Sequence, residues 1–189
     1  MIPLRNPSSA ERLPIAGKTV YSAKSDPAEL ERSMKPKIYV GCGLTNAPPS
    51  YRIFVENFKA RLVENFNVEV LKFVGLTGGT PRDVFLTDLG NVRKCDAMIA
   101  FVDEASTGLG WELGVATESK KQVLCLHRTG QNITRFVIGA RDNDCVEMVS
   151  YGDLGDALES AGQFLVHVLG QSVVTKTSDE NSAELEEMG

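Results

Sequence analysis

The stretch of the chain richest in chemistry is Ser106-Thr107-Gly108-Leu109-Gly110-Trp111-Glu112-Leu113-Gly114, in which an acid follows two hydroxyls and two glycines. Gly108 and Gly110 let a ligand come close to the backbone, and amides opening a helix there would attract an anion. A helix starting near Gly108 puts Glu112 in its first turn, where the helix dipole favours the ionised carboxylate. A carboxylate held ionised beside a sugar-sized pocket is what nucleophilic attack at an anomeric carbon requires. The plainer reading is that Glu112 only complements the helix terminus while the glycines serve packing, and the local pattern by itself favours it. The G-x-G spacing matches neither the dinucleotide fingerprint nor the phosphate-binding loop, and the latter would also need a lysine. Cys42, Cys95, Cys125 and Cys145 form no C-x-x-C pair, and His127 and His167 stand far apart. Neither a zinc site nor a cofactor is expected.

Such an acid needs a scaffold to position it, and the chain carries the pattern of one. Ile38-Tyr39-Val40-Gly41-Cys42 is a short apolar run stopping at Gly43, a buried first strand. Ser50 is placed to cap a helix in which Ile53, Phe54, Phe58, Leu62 and Phe66 recur at helical spacing. Residues 68–74 read as a second strand, 75–80 as a glycine-rich loop, and Pro81 as the first turn of a helix reaching about Lys94. Residues 96–102, apolar almost throughout, are a strand covered on both faces. A helix over about 108–119, a strand over 122–127, a weaker strand over 146–149 and an amphipathic helix over about 154–169 complete the pattern. Strand alternating with helix implies an α/β fold: a doubly wound, mostly parallel, five-stranded Rossmann-like (flavodoxin-like) sheet with helices on both faces. Ligands of such sheets sit beyond the carboxyl ends of the strands. Tyr39 and Gly41-Cys42-Gly43, then Gly78-Gly79, then the stretch leading to Glu112 should therefore meet in one crevice.

Length and composition bound what this scaffold can serve. A chain of 189 residues with 42% apolar and 24% charged side chains suits one globular domain. Residues 1–36, with five prolines, read as a loosely attached arm, 37–170 as the catalytic domain, and 171–189 as a disordered acidic tail. The tail sets five carboxylates against Lys176, so it holds most of the net charge of −5 and leaves the domain near neutral. Without a basic face, nucleic-acid binding is not expected. No apolar run approaches a membrane span or a signal peptide, and the cysteines suit a reducing compartment, so the expected location is the cytoplasm.

Taken together, Lys37 to Gly41, Thr87-Asp88-Leu89, Cys95 to Ala100, Gly108 to Gly114, Lys121 to Leu126 and Ile138-Gly139-Ala140 resemble the nucleoside 2-deoxyribosyltransferase superfamily. The resemblance covers about residues 37–170. That superfamily has a transferase branch, which swaps bases between deoxynucleosides, and a hydrolase branch acting on 2'-deoxynucleoside 5'-monophosphates. What it implies for this chain is a small-molecule substrate, with Glu112 matching the nucleophile that forms a covalent glycosyl-enzyme. Asp88 matches the acid that contacts the base and assists its departure, and Tyr39 the tyrosine that orients the nucleophile. Each has a plainer alternative, a solvated charge for Asp88 and a core position for Tyr39. Trp111 could wall the pocket or turn into the core.

Ser106, six residues before Glu112, matches a serine that binds the 5'-phosphate in the hydrolases, where the transferases tend to carry an acid. Gly43, Gly108 and Gly110 would line the same pocket. Thr134 matches a hydroxyl that the hydrolases contribute from the neighbouring subunit, which implies a homodimer with composite sites. Both hydroxyls could equally be helix caps. One departure stands out. The hydrolases place a serine and an arginine just after the first strand, and this chain has Gly43-Leu44-Thr45-Asn46 there, closer to the transferase branch. Arg52, Arg82 and Arg135 are the candidate substitutes for the missing cation. The expectation is hydrolysis of (deoxy)nucleoside 5'-monophosphates, with base exchange between deoxynucleosides as the alternative and non-catalytic nucleotide binding as the rival.

Overall fold

A computed structural model describes residues 35–72 and 79–170. The arm as far as residue 34, the end of the expected second strand, most of the glycine-rich loop including Gly78, and the acidic tail lie outside the described residues. The described chain runs β1 (Lys37–Cys42), α1 (Pro49–Asn65), β2 (Glu69–Val70), α2 (Pro81–Lys94), β3 (Ala97–Phe101), α3 (Thr107–Glu118), β4 (Gln122–Arg128), α4 (Arg135–Gly139), a single 3-10 turn (Ala140–Asp142), β5 (Val146–Tyr151) and α5 (Leu154–Leu169). The sheet is parallel throughout, in the order β2-β1-β3-β4-β5. The winding reverses between β1 and β3, which opens the crevice where such sheets take ligands.

Alternation along β1 sorts the core into two layers. Ile38, Val40 and Cys42 face α1 and α5, packing with Phe58, Leu62, Phe101 and Phe164. Tyr39 faces the other side, with Met98, Ala100, Leu109, Val123 and Cys125 under α2 and α3. A two-residue period on a sheet covered on both faces requires this split. The four cysteines are free and buried, small apolar fillers in the core.

Local chemistry moved several expected boundaries. α1 starts at Pro49 with Pro48 as its N-cap, so Ser50 lies inside the helix and makes no capping bond. Proline supplies the first helical φ and lacks an N–H that would otherwise be unsatisfied. Its buried face runs through Tyr51, Val55, Phe58 and Leu62, which leaves Ile53 exposed. β2 is shorter than expected because it is an edge strand paired with β1 over two residues, Lys37 with Glu69 and Ile38 with Val70. β5 is longer than its weak alternation suggested. It pairs with β4 from Val146 to Tyr151, and its outer edge stays partly exposed. α2 begins as expected, with Thr80 and Asp83 forming a reciprocal capping box.

Candidate active site

Three elements bring three ionisable side chains together beneath the crevice. Tyr39 comes from the middle of β1, Asp88 from the second turn of α2, and Glu112 from α3; all three are buried. β1 supplies the reason that they can meet. A Cβ at Gly41, two residues after Tyr39 on the same face, would stand 3.0 Å from Glu112 Oε2 and 2.9 Å from Met98 Cε. Any side chain there would push the carboxylate out of place. Gly41 is thus part of the site, although the sequence marked only its turn; its two-residue spacing from Tyr39 was the available signal.

The electrostatics correct one expectation. Ser106 is the N-cap of α3, so Glu112 falls in the second helical turn, and no acid lies in the first. The dipole is weak there, whereas burial acts at full strength. Burial first, then the nearby Asp88 carboxylate, lift the Glu112 carboxyl from its ordinary 4.5 to about 7, against a hydrogen-bonding contribution from Tyr39 that lowers it. Glu112 is therefore not held ionised by the helix but poised near neutrality. The Tyr39 phenol is driven far upward by its own burial and by both carboxylates, and stays protonated. Its hydroxyl has no partner at full hydrogen-bond geometry in this state, although it is close enough to Glu112 to act on its charge. A protonated phenol beside a carboxylate that must ionise can orient it and stabilise its charged form.

Asn91, buried one turn after Asp88, donates from Nδ2 to the Lys72 carbonyl at 2.8 Å and so ties α2 to the segment just after β2. Sequence reading missed it, and a lone asparagine on a helix gave no signal. Trp111 neither walls the buried cluster nor enters the core. It is exposed, and its ring meets Phe85 of α2 edge to face at 5.8 Å.

The expected substrate-binding residues divide between two adjoining cavities. Gly43, Ser106 and Gly108 line one of about 200 Å³. Ser106, Gly110 and Thr134 line another of about 340 Å³, which Thr134 reaches from its own chain. Ser106 Oγ accepts from the Leu109 N–H at 3.3 Å and Thr134 Oγ1 from the Val137 N–H at 3.4 Å, so both are caps, each keeping a hydroxyl proton to donate. A Cβ at Gly43 would come within 2.8 Å of the Glu104 carbonyl oxygen and 2.9 Å of Ser106 Cβ, so this glycine lets the loops after β1 and β3 touch. A Cβ at Gly110 would meet nothing within 4 Å, as a surface open to a ligand should. Of the three arginines considered for the phosphate, Arg52 donates to the Leu44 carbonyl at 2.9 Å, and neither Arg82 nor Arg135 lines either cavity. Among the described residues no group of acids, cysteines and histidines is arranged to hold a metal, and no helix is long and apolar enough to cross a membrane.

Comparison with known proteins adds to this geometry. The family described as nucleoside 2-deoxyribosyltransferase matches residues 51–174. A Methanosarcina mazei protein provisionally named 2'-deoxynucleoside 5'-phosphate N-hydrolase 1 is 39% identical over 74 residues, covering 39% of this chain and 45% of that protein. The 5-hydroxymethyl-dUMP N-hydrolase of Tetraodon nigroviridis is 36% identical over 66 residues, covering 34% of this chain and 46% of that protein. The chain thus spans less than half the length of these relatives. Among solved structures, the Clostridium botulinum CMP N-glycosidase BcmB shares the fold with a TM-score of 0.56 at 19% identity, over 68% of this chain and 99% of that one.

Proposed function

This chain belongs to the nucleoside 2-deoxyribosyltransferase family, and from that premise we propose that it hydrolyses the N-glycosidic bond of (deoxy)nucleoside 5'-monophosphates. The observation that carries the reading is the buried Tyr39–Asp88–Glu112 cluster under Gly41, with a carboxyl poised at about 7. The names of the relatives that match part of the chain support the substrate class.

The reaction proceeds by double displacement. Ionised Glu112 attacks C1' of the sugar, and the electrons of the glycosidic bond leave with the base, which takes up a proton relayed through or stabilised by Asp88. Water then attacks C1' of the glycosyl ester, loses a proton, and frees Glu112 and the (deoxy)ribose 5-phosphate. Tyr39 orients Glu112 and supports its charge. Gly43, Ser106 and Gly108 form the pocket for the 5' end, with Gly110 and Thr134 beside it. The protein acts as a homodimer. The support for this is an exposed set of apolar side chains on the helices that carry the site, Phe85 and Leu86 of α2, Trp111 of α3, and Phe136 and Ile138 of α4. In the dimer, Thr134 of each copy lies at the edge of its partner's site.

A second reading has its own observation. The loop Gly43-Leu44-Thr45-Asn46 brings no cation, and the cavity it borders is lined by Glu104, which suits a nucleoside and hence base exchange. The two readings share the first half-reaction. Chromatography of products from each common nucleoside and nucleoside 5'-monophosphate, with and without added free base, separates them. Base released from monophosphates alone, with kcat at saturating substrate on a rising pH limb near 7 and lost in Glu112→Gln, is the expected result. New nucleosides formed from an added base would establish transfer instead. Turnover that survives Glu112→Gln, or no turnover at all, would reject the glycosidase and leave a nucleotide-binding module.

A further inference from the structure

Glu104 stands where the cavities at the carboxyl edge of the sheet join, and the mechanism above gives it no role. It lines the Gly43 cavity, the Thr134 cavity, and a third one bounded by Ser50, Tyr51, Asp103 and Arg128. The Gly43 cavity lies at a definite place relative to the nucleophile. A Cβ at Gly41 would meet Glu112 Oε2, and Gly43 follows two residues later, just past the end of β1, about 7 Å further along. That is the scale of a pentose with its exocyclic arm, so the sugar's 5' end falls against Gly43, Ser106 and Glu104.

The charge balance of this pocket is unusual for a phosphate site. Its side-chain donors are Thr45, Asn46, Ser106 and Thr107, all neutral, and its one charged lining residue is Glu104. Two neighbouring cations lie outside this lining, and the Nε of Arg52 is buried without a partner. Arg52 is bonded to the Leu44 carbonyl, and the Arg128 guanidinium sits over the rings of Phe54 and Tyr151, 5.6 and 5.7 Å from their centroids, in the third cavity. The adjacent Asp103 carboxylate accepts from the Arg128 backbone N–H and the Tyr151 hydroxyl. Tyr51 of α1 turns its hydroxyl to the Phe101 carbonyl. Among the described residues no ion pair involves Glu104.

We propose that Glu104 selects the substrate by the charge of its 5' end, accepting a hydrogen bond from an O–H there and refusing a doubly charged phosphate. Two ends carry that O–H: a free 5'-hydroxyl and a singly protonated phosphate. Neutral donors can satisfy the one charge of a phosphate monoanion while its remaining proton goes to the carboxylate. Losing that proton replaces a hydrogen bond with like-charge repulsion in a partly buried site whose lining, among the described residues, holds no cation to offset it. Because a phosphate monoester takes its second charge near pH 6, the preference should show within the neutral range, at about pH 5.5 to 8. This selection rests on the glycosidase reading only in placing the sugar.

The test measures binding by calorimetry in the Glu112→Gln protein, which removes turnover and the titration of the nucleophile. The probes are deoxyuridine, deoxyadenosine and their 5'-monophosphates at pH 5.5 and pH 8, with and without Glu104→Gln. The monophosphates should weaken about tenfold or more from pH 5.5 to pH 8 while the nucleosides hold steady, and Glu104→Gln should abolish the difference. Nucleosides that bind while monophosphates bind only after Glu104→Gln would support the selection and identify the hydroxyl as the natural end. Monophosphates that bind as well at pH 8 as at pH 5.5, a pH dependence that survives Glu104→Gln, or no binding of any probe would overturn it. Failure of the glycosidase reading would look different: ligands bound with this selectivity, yet no base released by the unsubstituted protein.

Discussion

Glu112 is ionised for attack only at the expense of the fold that buries it. Its carboxyl, lifted to about 7, favours the native state in its protonated form. The stability this gives is fully present below its ordinary value of 4.5 and is lost as pH rises through 7, because the unfolded chain releases the proton first. Glu112→Gln should therefore match the parent's stability near pH 4.5 and exceed it at pH 8 by on the order of 2–3 kcal/mol, read by urea denaturation at both pH values. Equal stability at pH 8 would mean that Glu112 is not buried as described. This poise was not legible in the sequence. The spacing from Ser106 showed a helix start, but a one-residue shift in that start moved Glu112 out of the first turn. Burial depends on β1 and α2, which are remote in the chain. Asn91 and Glu104 escaped notice, and Gly41 was marked only as part of a turn, for the same reason, since each has its meaning only in what touches it.

Elements were easier to read than side chains, because their signals are local. Proline opening α2, the apolar run of β3 and the amphipathic pattern of α5 each predict the observed element within a residue or so. The exceptions were edges: β2 and β5 border the sheet, where pairing with one neighbour sets the length more than composition does. Close helix packing was also hidden. Gly162 sits in the middle of α5, where glycine costs helix stability, and the structure supplies its reason: a Cβ there would stand 2.7 Å from Phe66 Cζ at the end of α1. Gly162→Ala gains about 1 kcal/mol of helix propensity but must displace a buried ring, an overpacking cost of about 1–3 kcal/mol. The expected net effect is a loss of about 1 kcal/mol in chemical denaturation, with activity retained. A more stable protein would show that α1 and α5 can part without cost.

For the whole molecule, the apolar side chains on α2, α3 and α4 form the surface that the proposed dimer would cover. Phe136 is 89% exposed and Trp111 60% exposed, on the helices that border the site. If two copies bury them against each other, Phe136→Asp should convert a dimer to a monomer in sedimentation velocity and reduce turnover with it, while the circular dichroism of the fold stays unchanged. A protein that is monomeric before the substitution would remove the composite site and leave each chain's Thr134 to its own cavity. Quaternary structure had no local signal beyond the resemblance at Thr134, because an exposed phenylalanine becomes visible as such only once the helices are packed.

The placement of Trp111 gives the protein an intrinsic optical gauge. It is the one tryptophan of the chain, it precedes Glu112, and its ring leans on Phe85, one turn before Asp88. Whatever changes the distance between α2 and α3, or shields their rim from water, must alter the colour and quenching of a single fluorophore. Titration of the unlabelled protein with a substrate or a second copy can thus be followed in real time from the emission of one indole.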